Sequence, residues 1–233
     1  MNPTFQQYFR DLTDKVSSYP NISVVPLSHG GAAYHIGRQG RSLVFVSGLH
    51  GDETSGPLAL QRWISQENIN RIPEDVQIWF FPLLNDHGWD QGVREWDGID
   101  LNRAFKWVEA TPPFIKMIMQ LWSQEPPQML LDLHEDSERP DAPYLFHYAN
   151  DTHDLAYQMA SHIDAKVEIW SKYEDWLGSD EIFLRQLGVA HCTTIEAPQE
   201  WLLEERIQWN LKAINWMLDY FVFNTGKFTG VIT

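Results

Sequence analysis

The sequence predicts an α/β protein built on a mixed, mostly parallel sheet covered by helices on both faces. Three observations point there. Short runs rich in β-branched and aromatic residues recur along the chain, stretches with helical apolar spacing alternate with them, and amphipathic stripes stand at both ends. Taken in order, Phe5, Phe9, Leu12 and Val16 fall on one helical face. The runs Ile22 to Leu27, Ser42 to Ser47, Val76 to Phe81, Met129 to Leu133 and His191 to Ile195 read as buried strands. Helices are expected over Ser55 to Gln66, Phe114 to Ser123, Asp151 to Ile163 and Ser179 to Leu187. Leu203, Ile207, Leu211, Ile214, Leu218 and Phe221 make a longer apolar stripe at helical spacing.

The 233 residues are 43% hydrophobic and 21% charged, which excludes a disordered chain and supports one core. No repeat, low-complexity tract or long Gly/Ser linker divides the chain, so residues 1–233 are expected to form one domain. Seventeen basic against 32 acidic residues leave a net charge of −15, which argues against nucleic acid and anionic membrane as partners. An anionic substrate would need a local cationic site to reverse that field. Cys192 is the single cysteine, so any metal must use histidine and carboxylate, and Cys192 itself reads as core. With neither a leader pattern nor a long apolar run, a cytoplasmic protein is the expectation.

In such sheets, function gathers beyond the carboxyl ends of the strands. The polar residues that follow the expected strands therefore belong together. They are His50 and Glu53, then Asp132-Leu133-His134-Glu135, then Glu196. His50 and Glu53 have H-x-x-E spacing at a strand-to-helix junction. The pair also fits a turn histidine followed by an acid favoured by a helix N-terminus. With His134 the set becomes His₂Glu, the donor set of a catalytic zinc site with one position open to water.

The H-x-x-E pair combines in a consistent order with Arg94, Asp100-Leu101-Asn102-Arg103, Asp132-Leu133-His134 and Ile195-Glu196. From about Ser42 to Gln199 the sequence resembles the zinc carboxypeptidase superfamily. That includes its murein peptide amidase branch and its succinylglutamate desuccinylase/aspartoacylase branch. The resemblance implies a three-layer α/β/α fold with one zinc ion per chain, held by His50, Glu53 and His134. It implies Glu196 as the catalytic carboxylate and Arg94 as the arginine that stabilises an oxyanion. Asn102 and Arg103 match the pair that grips a substrate carboxylate, and Asp100 would fix the tautomer of a zinc histidine. Tyr173 falls roughly where peptidases place a mobile tyrosine over the substrate.

The sequence departs from the family pattern in two places. Peptidases commonly carry Asn-Arg-Asn followed by an aromatic, whereas this chain reads Asn102-Arg103-Ala104-Phe105. Where many carry Asn-Pro-x-Gly, it has Asn85-Asp86-His87-Gly88. Asp180 and Glu181 fit either a substrate side-chain pocket or the acidic first turn of a helix. Trp89, Trp96 and Trp107 bracket the arginine loops and fit either a cleft wall or ordinary packing.

The resulting expectation is a zinc-dependent metallocarboxypeptidase or amidase. It would cleave a peptide or amide bond near the free carboxylate of a small substrate, with Glu196 as general base and acid. The runner-up is an N-acyl amino acid deacylase. Asp-Leu-His and the short interval from Arg94 to Arg103 favour that branch, whereas the short stretch after Glu196 leaves no room for its additional C-terminal β domain. A non-catalytic zinc or peptide-binding module ranks third, because binding alone needs neither Glu196 nor Arg94.

Overall fold

The computed structural model describes residues 3–17, 19–37, 40–66, 68–148, 154–170, 176–189 and 191–223. Helix α1 (Phe5–Val16) opens with a capping box, in which the Thr4 side chain accepts from Gln7 N and the Gln7 side chain answers the Thr4 backbone. There follow β1 (Ile22–Pro26), β2 (Ala32–Ile36), β3 (Arg41–Ser47), α2 (Ser55–Ser65), β4 (Val76–Phe81), α3 (Asp86–Gln91) and α4 (Pro113–Gln124). The second half runs β5 (Met129–Asp136), β6 (Tyr144–Tyr148), α5 (Asp154–Ile163), β7 (Lys166–Trp170), α6 (Asp180–Gln186), β8 (His191–Pro198) and α7 (Leu203–Phe223).

All eight strands form one sheet in the order β1-β2-β4-β3-β5-β8-β6-β7. The central four, β4-β3-β5-β8, are parallel. β1 and β2 add an antiparallel flank on one side, and β6 reverses against β8 on the other, carrying β7 parallel to itself. Side chains alternate across the sheet, as strand geometry requires. Leu43 and Phe45 enter a core that holds Phe9, Trp63, Met159 and Ile214, from α1, α2, α5 and α7. Val44 and Val46 enter the opposite core, with Phe114 and Trp122 of α4 and Phe183 of α6. This is the expected three-layer arrangement.

Among the described residues, the central strands and six of the seven α-helices stand close to where the apolar pattern places them. Residues 151–153, the start of the helix expected over Asp151 to Ile163, lie outside the described set. Expected to be buried, β1 is instead an edge strand with Ser23, Val24 and Pro26 exposed. Three strands and one helix were not anticipated, namely β2, β6, β7 and α3. β7, with Lys166 and Glu168 alternating with Val167 and Ile169, is the other edge, where one-sided pairing weakens the apolar signal.

Candidate metal centre and active site

The site lies beyond the carboxyl ends of β3, β5 and β8. Chain direction after β3 depends on Gly48, whose φ of 64° falls in the left-handed region. A Cβ there would also meet Leu83 Cδ1 at 2.7 Å. Three residues on, the loop presses on another glycine, so a Cβ on Gly51 would stand 2.0 Å from the Gly88 carbonyl carbon. Asn85 ties this junction together. Its amide donates to Leu49 O at 3.1 Å and Arg94 O at 2.8 Å, while its oxygen accepts from Gly88 N at 2.6 Å. The altered Asn-Asp-His-Gly segment thus begins helix α3, and the retained Asn and Gly are the residues that hold the His50 loop against the Arg94 loop.

His50, Glu53 and His134 converge there, each 3% exposed or less. His50 Nδ1 lies 2.7 Å from Glu53 Oε1, and His134 Nδ1 lies 2.8 Å from Glu53 Oε2 and 3.2 Å from His50 Nδ1. The far nitrogens are fixed as well. His50 Nε2 is 3.2 Å from Asp100 Oδ1, and His134 Nε2 is 2.6 Å from Asp132 Oδ2. Asp100 is thereby where the sequence reading put it, and its own oxygen also accepts from Asn102 N at 2.9 Å. Asp132 was not assigned a role beforehand, although side chains at i and i+2 of a strand share a face and the Asp-x-His spacing carries that signal.

Electrostatics favour positive charge at this point. Burial lowers both imidazoles, yet Glu53 with Asp100 around His50, and Asp132 with Glu53 around His134, more than offset it and raise both pKa values. Burial raises Glu53, but the two imidazoles outweigh it and hold the carboxyl well below its usual range. Asp100, against the pull of burial, is brought down to about 2 by His50, with Arg94 and Arg103 adding to the effect. Two imidazole nitrogens and a carboxylate converge, with carboxylates orienting the outer nitrogens. This is a donor set suited to a zinc-like divalent ion.

A cavity of about 560 Å³ opens over these groups. Glu196 lines it and is register partner to His134 across the β5–β8 pairing, which places it beside the triad without being a member. Burial pushes its carboxyl well up, with His134 pulling the other way. Arg94, half exposed, reaches in with Nη1 3.2 Å from Glu53 Oε1. Asn102 is buried with Nδ2 3.3 Å from His134 Nε2, and its Oδ1 is buried without a hydrogen-bond partner. Arg103 donates from Nη1 to Asn102 O at 2.5 Å, and its guanidinium carbon stands 4.6 Å from the centre of the Trp176 ring.

Every expected site residue except Tyr173 therefore meets at one cavity, and Tyr173 lies outside the described residues. Asp180 and Glu181 do occupy the first turn of a helix, but they are buried and are not among the residues that line this cavity. Trp89 and Trp96 pack elsewhere, donating to Pro3 O and Asp86 Oδ1, and Trp107 is 60% exposed. Ala104 and Phe105 are buried in the core on the α4 side. The aromatic wall unforeseen from sequence comprises Tyr144, Phe146 and Trp176. The Tyr144 hydroxyl donates to Asp136, and burial together with Glu196 and Asp136 raises its pKa.

The architecture is that of the metallo-carboxypeptidases. A candidate metallopeptidase from Shewanella denitrificans superposes with a TM-score of 0.79 at 19% identity, over 92% of this chain and 89% of that one. One from Shewanella baltica gives 0.78 at 20%, over 91% and 90%. A metallo-carboxypeptidase from Pseudomonas aeruginosa, solved with (2-guanidinoethylmercapto)succinic acid, gives 0.71 at 16%, over 91% and 67%. Residues 39–221 match the succinylglutamate desuccinylase/aspartoacylase catalytic domain, and the chain belongs to that family. No curated protein sequence matches it. The family match falls on the branch that sequence reading placed second. Among the described residues no helix is long and apolar enough to cross a membrane.

Proposed function

We propose that the chain is a zinc-dependent hydrolase that cleaves an amide bond next to the free carboxylate of a small substrate, either a short peptide or an N-acyl amino acid. One observation carries this reading: both imidazole Nδ1 atoms and both oxygens of Glu53 converge beneath a cavity that Glu196, Arg94 and Arg103 also line. His50, Glu53 and His134 would hold one zinc ion per chain. When bound, zinc supplies Lewis acidity and lowers the pKa of water.

The chain's own residues divide the remaining work. The Glu196 carboxylate takes the proton of the attacking water and passes it to the leaving nitrogen, a task that its place beside the His50–Glu53–His134 cluster suits. Arg94 directs a guanidinium to the cavity, where negative charge develops on the carbonyl oxygen. Arg103, its guanidinium over the Trp176 ring, and Asn102, through its side-chain N–H, bind the substrate's carboxylate end. Together the arginines supply the local cationic field that a chain of net charge −15 needs to accept an anion.

The family match favours the acyl amino acid among the two substrate types. Product identification by mass spectrometry tests the assignment, after zinc-loaded protein is incubated with short peptides, murein-type peptides and N-succinyl or N-acetyl amino acids. Release of a free acyl acid marks a deacylase, and release of a C-terminal residue or peptide fragment marks a peptidase or amidase. In the same assay Glu196→Gln is expected to retain zinc and lose turnover by about 10²- to 10⁴-fold. Full turnover in that variant would overturn the mechanism.

A further inference from the structure

Beyond His134, away from the cavity, a second group of acids is closed inside the protein. Asp132 of β5 and Asp180 of α6 are fully buried, and Glu181 of α6 is 2% exposed. One oxygen from each lies within 4.8 Å of one from each of the others. Each carboxylate has one oxygen anchored. Asp132 Oδ2 meets His134 Nε2 at 2.6 Å, Asp180 Oδ1 accepts from Glu181 N at 2.7 Å, and Glu181 Oε1 accepts from the Thr194 hydroxyl at 3.1 Å. The other oxygens, Asp132 Oδ1, Asp180 Oδ2 and Glu181 Oε2, are buried with no hydrogen-bond partner.

Three acids are thus enclosed together, and among the described residues no ion pair joins any of them to lysine or arginine. Buried carboxylates left this way are costly unless protons or a cation neutralise them. Asp132 Oδ2 is already taken up by the His134 ring. A cation leaves that hydrogen bond intact, because it needs only the oxygens that nothing else uses. Donors that are all oxygen, come mostly from carboxylates and stand within one coordination sphere of each other suit a hard divalent ion.

We propose that Asp132, Asp180 and Glu181 form a second metal site, for a hard divalent cation, distinct from the His50–Glu53–His134 centre and adjoining it through Asp132. The bound ion fixes α6 to β5. Its existence does not depend on the hydrolase reading.

Zinc-loaded protein, dialysed in turn against Mg²⁺, Mn²⁺ and Ca²⁺, is analysed for metal per chain by plasma mass spectrometry. The expected result is one zinc plus about one equivalent of hard cation. Asp180→Asn and Glu181→Gln are expected to lose the second ion and keep zinc. Thr194→Val removes Glu181's anchor without touching a carboxylate, and it should weaken Mn²⁺ binding by about tenfold in an electron paramagnetic resonance titration. Wild-type protein that takes up none of the three ions, its acids being neutralised by protons alone, would overturn the proposal. Full retention of the second ion in both carboxylate variants would do the same. Binding of Mn²⁺ by a wild-type protein that binds no zinc would leave this site standing while refuting the hydrolase assignment.

Discussion

Two clusters of buried ionisable groups meet on β5, at His134 and at Asp132 two residues before it, and they differ in how their polar atoms are satisfied. Around His134 each imidazole nitrogen and each Glu53 oxygen has a partner, with Glu135 N donating to Glu53 Oε2 at 3.1 Å as well. Around Asp132 three carboxylate oxygens have none. The same contrast recurs farther off. Asn85 spends both ends of its amide on the backbone, whereas neither nitrogen of His29, packed against Phe5 and Phe114, finds a partner. A partnered buried group holds its neighbours in place, and an unpartnered one stores a cost that a ligand, a proton or a mutation can release.

Substitution can test that contrast. His134→Ala should abolish zinc retention, read by metal analysis, and turnover with it, because it removes one of the three proposed ligands. Unchanged zinc content would show that the triad is misassigned. Asp132→Asn touches both clusters and should weaken zinc binding by about 10- to 100-fold while also losing the second ion. Asp100→Asn, at a longer and more exposed contact, should cost zinc affinity less and spare the second ion. Equal effects of the two on both metals would dissolve the distinction. Asn85→Ala strands Leu49 O, Arg94 O and Gly88 N, and should cost about 2 kcal/mol in denaturant unfolding.

His29→Phe has the smallest effect and the opposite sign. Burial holds the His29 imidazole below its ordinary pKa even with Asp86 nearby. The unfolded chain therefore binds that proton first. Stability from His29 is full above the unfolded pKa and is lost as pH falls through it toward the folded value. Removing the imidazole should make the fall of Tm between about pH 7 and pH 5 shallower than in the wild type. An unchanged slope would mean the ring pays nothing for its isolation.

The sequence reading succeeded where one residue carries its own signal. Runs such as Leu43-Val44-Phe45-Val46 are apolar on both faces because the parallel centre of the sheet is buried on both. Strand-end residues such as His50 and Glu196 then follow from the rule that chemistry collects at those ends. Edge strand β7 resisted, since its composition is close to that of a loop, whereas β1 was legible as a strand but not as an exposed edge. Asp180 and Glu181 resisted for another reason: two acids at a helix start look like solvent-facing residues, and only the packing of α6 against β8 encloses them. Trp176 and Tyr144 likewise become a cavity wall only through the antiparallel return of β6 beside β8.

The register of β5 on β8 has a consequence for how the protein acquires its activity. His134 faces Glu196 only because residues distant in sequence pair as Met129 with His191 and onward in step. A slip of one residue would turn Glu196 to the opposite side of the sheet. A chain trapped in that slip could still collapse and bury its tryptophans, yet Glu196 and the His50–Glu53–His134 cluster would stand on different faces. Return of turnover after refolding therefore reports correct strand alignment, which return of tryptophan fluorescence alone does not.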